Sequence, residues 1–156
     1  MLTKDCEKFM KLAIDEAKIS LKEGNKGFGA VLVKNGRLIA ASHDSIVTDA
    51  DPTAHGEMNV IKKALNEGSK DLCGSIIFST HEPCPMCTGA IIWAKISKIV
   101  YGASIKDTLA LGRNMIDLRC REQTDKAPWK VLVKGGVLKK ECVPLYNRNL
   151  KSSSET

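Results

Sequence analysis

Apolar residues fall at helical spacing near the start of the chain, where Met10, Ile14, Ala17 and Leu21 form a row with Phe9 and Ala13 beside it. That pattern predicts an amphipathic helix ending near Gly24. The period then changes. Phe28–Val33 and Arg37–Ala41 are short apolar runs flanking Lys34-Asn35-Gly36, the turn chemistry of a β-hairpin. A second helical row follows in Val60, Ile61, Ala64 and Leu65. It is expected to open with Asp51 as N-cap and Pro52 at the first helical position, and to close at Gly68. Ser75–Ser79 and Ile96–Tyr101 read as buried strands, and Cys84–Ala94 as the helix between them, with Pro85 at its first position. Residues 102–127 are the least periodic part. Trp129–Val133 predicts a last strand, and Leu138–Leu150 a closing helix interrupted near Pro144.

Helix, hairpin, helix, strand, helix, strand, strand, helix is the order of an α/β chain with both faces of its sheet covered. The expected fold is a three-layer α/β/α sandwich around a single central mixed sheet. Length adds that 156 residues suit one domain, residues 1–150, followed by the polar tail 151–156.

Composition narrows the partners. Lys and Arg outnumber Asp and Glu by 24 to 18, giving +6, but the bases are spread along the chain and aromatics make up only 4%. No stretch interleaves bases with stacking platforms, so a solvated basic surface is favoured over a nucleic-acid interface. No apolar run approaches membrane-spanning length, and Met1–Asp5 mixes acid and base with no apolar run behind it. The expected compartment is a reducing cytoplasm. Six cysteines therefore do not read as a disulfide framework. Cys6, Cys73, Cys120 and Cys142 are scattered as small buried apolar residues are, and only Cys84 and Cys87 are paired.

Cys84 as N-cap and Cys87 in the first turn share one face of a helix, and Pro85 pre-sets the backbone between them. A helix N-terminus lowers thiol pKa and favours the thiolates a metal requires. A structural zinc takes four protein ligands, yet the chain has no second C-x-x-C and no H-x-x-x-H. It has Thr53-Ala54-His55-Gly56-Glu57. His55, Cys84 and Cys87 give three ligands and leave one position for water, the arrangement of a catalytic zinc. Glu57 is a possible fourth ligand, but as a carboxylate beside the open position it is better suited to moving protons.

His55-Gly56-Glu57 followed by Pro83-Cys84-Pro85-Met86-Cys87 resembles the H-x-E…P-C-x-x-C signature of the cytidine deaminase superfamily. The likeness runs over roughly residues 5–150, and within the superfamily it leans to the small branch of guanine, cytosine and tRNA adenosine deaminases. It implies one Zn2+ per chain, a homodimer, and hydrolytic removal of an exocyclic amine from a cyclic amidine with release of ammonia. Glu57 would protonate a ring nitrogen, and the Cys84 backbone N–H would orient the attacking oxygen. The substrate implied is a small amino-heterocycle, a nucleobase or nucleoside. The alternatives are adenosine-to-inosine editing of tRNA and a zinc-stabilised scaffold without chemistry.

Candidate substrate contacts are Phe28, Asp44, Ala54, His81 and Asn114. The family usually holds the base with Asn where this chain has Asp44, which either meets N–H donors of the substrate or caps the turn at Ser42–Ser45. Guanine deaminases carry an acidic purine contact where this chain reads Ala110-Leu111-Gly112-Arg113-Asn114-Met115. His81 is expected either to line the pocket or to support the ligands from behind. His43 flanks Asp44 with no stronger case. Trp93 is expected in the core or at a dimer contact.

Overall fold

The computed structural model describes residues 3–147, so the expected tail lies outside the described residues. A long first helix, α1 (Thr3–Lys22), precedes a hairpin of β1 (Gly29–Lys34) and β2 (Arg37–His43). Asn35 and Gly36 turn the hairpin, both at positive φ, as the Asn-Gly signal requires. Then come α2 (Gly56–Asn66), β3 (Ile76–His81), α3 (Pro85–Trp93) and β4 (Lys98–Ala103). The rest is short: α4 (Ile105–Ala110), α5 (Cys120–Thr124), β5 (Leu132–Lys134), α6 (Lys139–Cys142) and α7 (Pro144–Asn147).

The five strands lie in the order β2-β1-β3-β4-β5. β1 pairs antiparallel with β2 and β3, whereas β3, β4 and β5 run parallel, so the sheet is mixed. Successive strand residues point to opposite faces, and the two cores divide on that period. Val31, Val33, Phe78 and Val100 pack under α1 with Phe9, Met10, Ala13 and Tyr146. Ala30, Leu32, Ile77 and Ile99 face the other way, against Val60, Ile61 and Ala64 of α2 and Ile91 of α3. The result is the expected α/β/α sandwich. The parallel strands end together, His81 opposite Ala103, and the loops leaving that edge carry the candidate chemistry.

Several boundaries move. The second helix begins at Gly56 rather than Pro52, with His55 as its N-cap. Asp51 instead closes a turn: its side chain accepts from the N–H and hydroxyl of Thr53, and its carbonyl accepts from the Ala54 N–H. The last strand starts at Leu132, because Trp129 leaves the sheet to donate its indole N–H to the Ile92 carbonyl. The closing helix divides into α6 and α7 at Pro144, as its break predicted, and its expected last residues, 148–150, lie outside the described residues. Cys6, Cys120 and Cys142 are buried, but Cys73 is exposed. Trp93 is 74% exposed, so it is not core; its ring lies edge-on to Trp129.

Candidate active site

Two helix N-termini meet at the edge where β3 and β4 end. Cys84 is the N-cap of α3, in extended backbone, and Pro85 occupies the first turn, as its missing N–H and fixed φ favour. Cys87 lies in the same turn with its side chain fully buried. His55 is brought up by the Asp51 turn, and Gly56 follows it where no side chain fits. A Cβ there would lie 2.8 Å from the Phe28 carbonyl oxygen. The backbone of α2 can thus approach the strand end closely enough to deliver His55 and Glu57.

His55 Nδ1 stands 3.6 Å from the sulfur of Cys84 and 3.6 Å from that of Cys87. Zinc–sulfur and zinc–nitrogen bonds of about 2.3 and 2.0–2.1 Å, set tetrahedrally, separate N from S by about 3.5 Å. The three donor atoms lie within 4.8 Å of one another, so their spacing fits a zinc ion. Their proton chemistry fits too. Left to protons, the two thiols compete. Their mutual hydrogen bond pulls Cys84 down to about 4, with help from His55 and against burial, while the same bond and burial push Cys87 up. A divalent cation resolves that competition by holding both as thiolates. His55, Cys84 and Cys87 are the group that would hold one zinc per chain.

Glu57 sits beside them, 4% exposed, with Oε1 accepting a hydrogen bond from the Ser79 hydroxyl at 3.0 Å. Burial, then the neighbouring Cys84, raises its pKa above the ordinary carboxylate value. That moves a carboxylate towards the range in which it both takes and gives protons near neutrality.

A cavity of about 50 Å3 opens on these groups, lined by His55, Glu57, Cys84, Phe28, His81, Glu82, Ile105, Met115 and Ile116. Phe28 and His81 are thus gathered at the site, with the His81 ring edge-on to Phe28 at 5.4 Å. Burial holds His81 near a pKa of about 4, so the ring is neutral at pH 7. Its nitrogens lie 2.8 Å from the Glu82 carbonyl and 2.8 Å from the Thr108 hydroxyl. Asp44, Ala54 and Asn114 are not among the lining residues. Asp44 and Ala54 are buried, and Asn114 is exposed one residue before Met115. His43 bridges Glu16 of α1 and Glu23 just beyond its end, at 2.6 and 2.8 Å.

The chain pattern did not reveal four of these residues. Glu82 is 2% exposed, and its two oxygens accept from the backbone N–H groups of Ile105, at 2.9 Å, and Cys120, at 2.8 Å. It therefore ties the first residues of α4 and α5 to the end of β3, from which the chain runs on to the cysteines. Its place just before Pro83-Cys84 was the available signal. Ile105, Met115 and Ile116 form the cavity's apolar side, and they come from the stretch without periodicity.

A sequence profile of the cytidine and deoxycytidylate deaminase zinc-binding region matches residues 3–103. A tRNA-specific adenosine deaminase of Bacillus subtilis (strain 168) is 39% identical over 142 residues, 90% of this chain and 85% of the relative. A guanine deaminase of the same organism is 41% identical over 108 residues, 68% of this chain and 69% of the relative. A solved structure from a study of A-to-I editing by tRNA:A34 deaminases superposes with a TM-score of 0.73 at 30% identity. It covers 88% of this chain and 97% of that one.

Proposed function

This chain belongs to the cytidine and deoxycytidylate deaminase family, and from that premise we propose a hydrolytic deaminase of an amino-substituted nucleobase or nucleoside of the guanine or cytosine type. The observation that carries the reading is the cavity itself. His55, Glu57 and Cys84 form its polar end, and Phe28, Ile105, Met115 and Ile116 its apolar sides. A flat heterocycle with an exocyclic amine matches that combination of apolar walls and a polar end.

When bound, zinc supplies a water acidified from a pKa of about 16 to about 7, a nucleophile at neutral pH. Glu57, close by and held by Ser79, would carry one proton from the attacking water to a ring nitrogen next to the amino-bearing carbon, and a second, from the hydroxyl newly formed on that carbon, to the departing amine. The Cys84 N–H, at a helix start where such groups lack intrahelical partners, orients the attacking oxygen. Neutral His81 and Phe28 fix the ring plane, and Ala54 and Asn114 lie near enough in the chain to join at its edges. A volume of about 50 Å3 holds a water or two, so substrate enters only if Met115 and Ile116 swing aside. Ile116 is 66% exposed, which makes that movement inexpensive.

A second reading, adenosine deamination in tRNA, is favoured by the relative that aligns over 90% of the chain and by the +6 charge. The intact Glu57 speaks against a scaffold without chemistry. Zinc-replete protein should release ammonia from at least one of guanine, cytosine, isocytosine and their nucleosides. Silence on the panel with inosine formed in tRNA would transfer the function to the second reading, and silence in both assays would end the deaminase proposal. A homodimer in a reducing cytoplasm belongs to the same reading. Exposed Trp93 on α3 is its proposed contact, and Trp93→Glu should shift the mass measured by light scattering.

A further inference from the structure

Asp44 stands at the position where the resemblance expects a residue that holds the base, yet its carboxylate is turned into the chain. It has no exposed surface. Oδ1 accepts the hydroxyl of Ser20 on α1 and the Phe28 N–H at 2.9 Å, while Oδ2 accepts the Lys26 N–H at 2.9 Å. The Asp44 N–H in turn donates to the Phe28 carbonyl at 2.9 Å. Ser20 extends the strap, since its oxygen accepts the Gly27 N–H at 2.9 Å. Segment 26–28 is therefore gripped at every residue, and Phe28 at both its N–H and its C=O.

The grip ends on a cavity wall. The Phe28 ring packs against Tyr146, with centroids 4.9 Å apart, and against His81, and it lines the cavity beside Glu57 and His55. A carboxylate suits this strap because it only accepts, and each partner here is a donor. An amide at the same place would set an N–H2 against one of the backbone N–H groups.

We propose that Asp44 is a positioning residue which acts on substrate through Phe28, fixing the wall against which the heterocycle packs, without touching the heterocycle itself. The proposal rests on the deaminase reading above and deepens it. Recognition at this end of the cavity is then by ring packing rather than by hydrogen bonds to a ring edge, and selectivity among bases is set by the other walls.

Two substitutions test it, one at the strap's near end and one at its far end. Asp44→Asn and Ser20→Ala should each raise KM by about fivefold, near the worth of one net hydrogen bond. kcat should stay within about twofold, and the rise should be equal for every base and nucleoside the enzyme accepts. The two effects should be less than additive, because both act through one strap. Should Asp44→Asn reorder the substrates while Ser20→Ala leaves every KM unchanged, Asp44 reads the substrate and the proposal is wrong. Amide hydrogen exchange supplies an arm that needs no turnover. The Phe28 and Lys26 amides should be protected in the native chain and exchange faster in Asp44→Asn. Unchanged exchange would overturn the strap, whereas faster exchange in a chain without ammonia release would uphold it and refute the deaminase reading alone.

Discussion

The molecule has two unlike halves. Residues 3–103 form long periodic elements, and they carry the His55, Cys84 and Cys87 group and Glu57. Residues 104–147 contain no helix longer than six residues, yet they supply one whole side of the cavity. Packing holds the first half: β1, β3 and β4 are buried on both faces between helices. The second half also packs, through Val137, Cys142, Leu145 and Tyr146 in the α1-side core, but hydrogen bonds at helix starts tie down α4 and α5. Ser104 and Asp107 cap α4 reciprocally, the Arg119 N–H donates to Glu122 at the start of α5, and Glu82 reaches both helices from the strand end. Chemistry is thus built on the rigid layer, and the substrate-facing wall hangs from it by a few polar anchors.

The sharpest way to separate the halves is to silence the first without disturbing the second. Glu57→Gln should lower kcat by about 10²–10⁴, the usual worth of a general acid–base, while zinc content by elemental analysis stays at one per chain. Retained turnover would remove Glu57 from the proton path. The seam between the halves comes next. Glu82→Ala leaves two buried N–H groups unpaired, and at 1–3 kcal/mol each the loss of stability should be about 4 kcal/mol in urea titration. A loss under about 1 kcal/mol would mean that α4 and α5 are held some other way.

The pH dependence of stability tests the same seam through His81, which links β3 to Thr108 of α4. An unfolded histidine titrates near 6.5, but burial keeps this one neutral down to about 4. Between those values the unfolded chain binds a proton that the folded chain refuses, so stability falls as pH drops through the window. The full loss is about 3 kcal/mol, and His81→Gln should flatten the slope over that range. The smallest effect belongs to the wall. Met115→Ala should raise KM several-fold, for about 1 kcal/mol of lost apolar contact, and leave zinc content and Tm nearly unchanged. A comparable fall in Tm would show that this wall is core.

Legibility in the sequence followed the same division. The cysteine claw was readable because Pro85 and the three-residue spacing are local constraints, and His55 because two sulfurs are half a zinc's usual shell and Thr53–Glu57 offers a histidine at the other expected helix start. The start of α2 was misplaced because Asp51-Pro52 carries signals that a tight turn and a helix share. The turn wins here because its own hydrogen bonds close before Gly56. Met115 and Ile116 could not be assigned, since what places them is Glu82, more than twenty residues earlier and bonded to backbone, which leaves no pattern in side chains. The core alternative for Trp93 failed for the opposite reason. Helix α3 is apolar apart from the buried Thr88, so hydrophobicity marks no face, and Trp93 in its last turn emerges from the layer.

Gly56 carries a practical consequence for anyone who wants to reshape this cavity. Its missing side chain is what lets α2 dock under the Phe28 carbonyl, so randomising it would displace His55 and the aromatic wall at once. Directed-evolution libraries should leave codon 56 fixed and spend their diversity on 105, 115 and 116, where new shapes can be sampled without dislodging the ion.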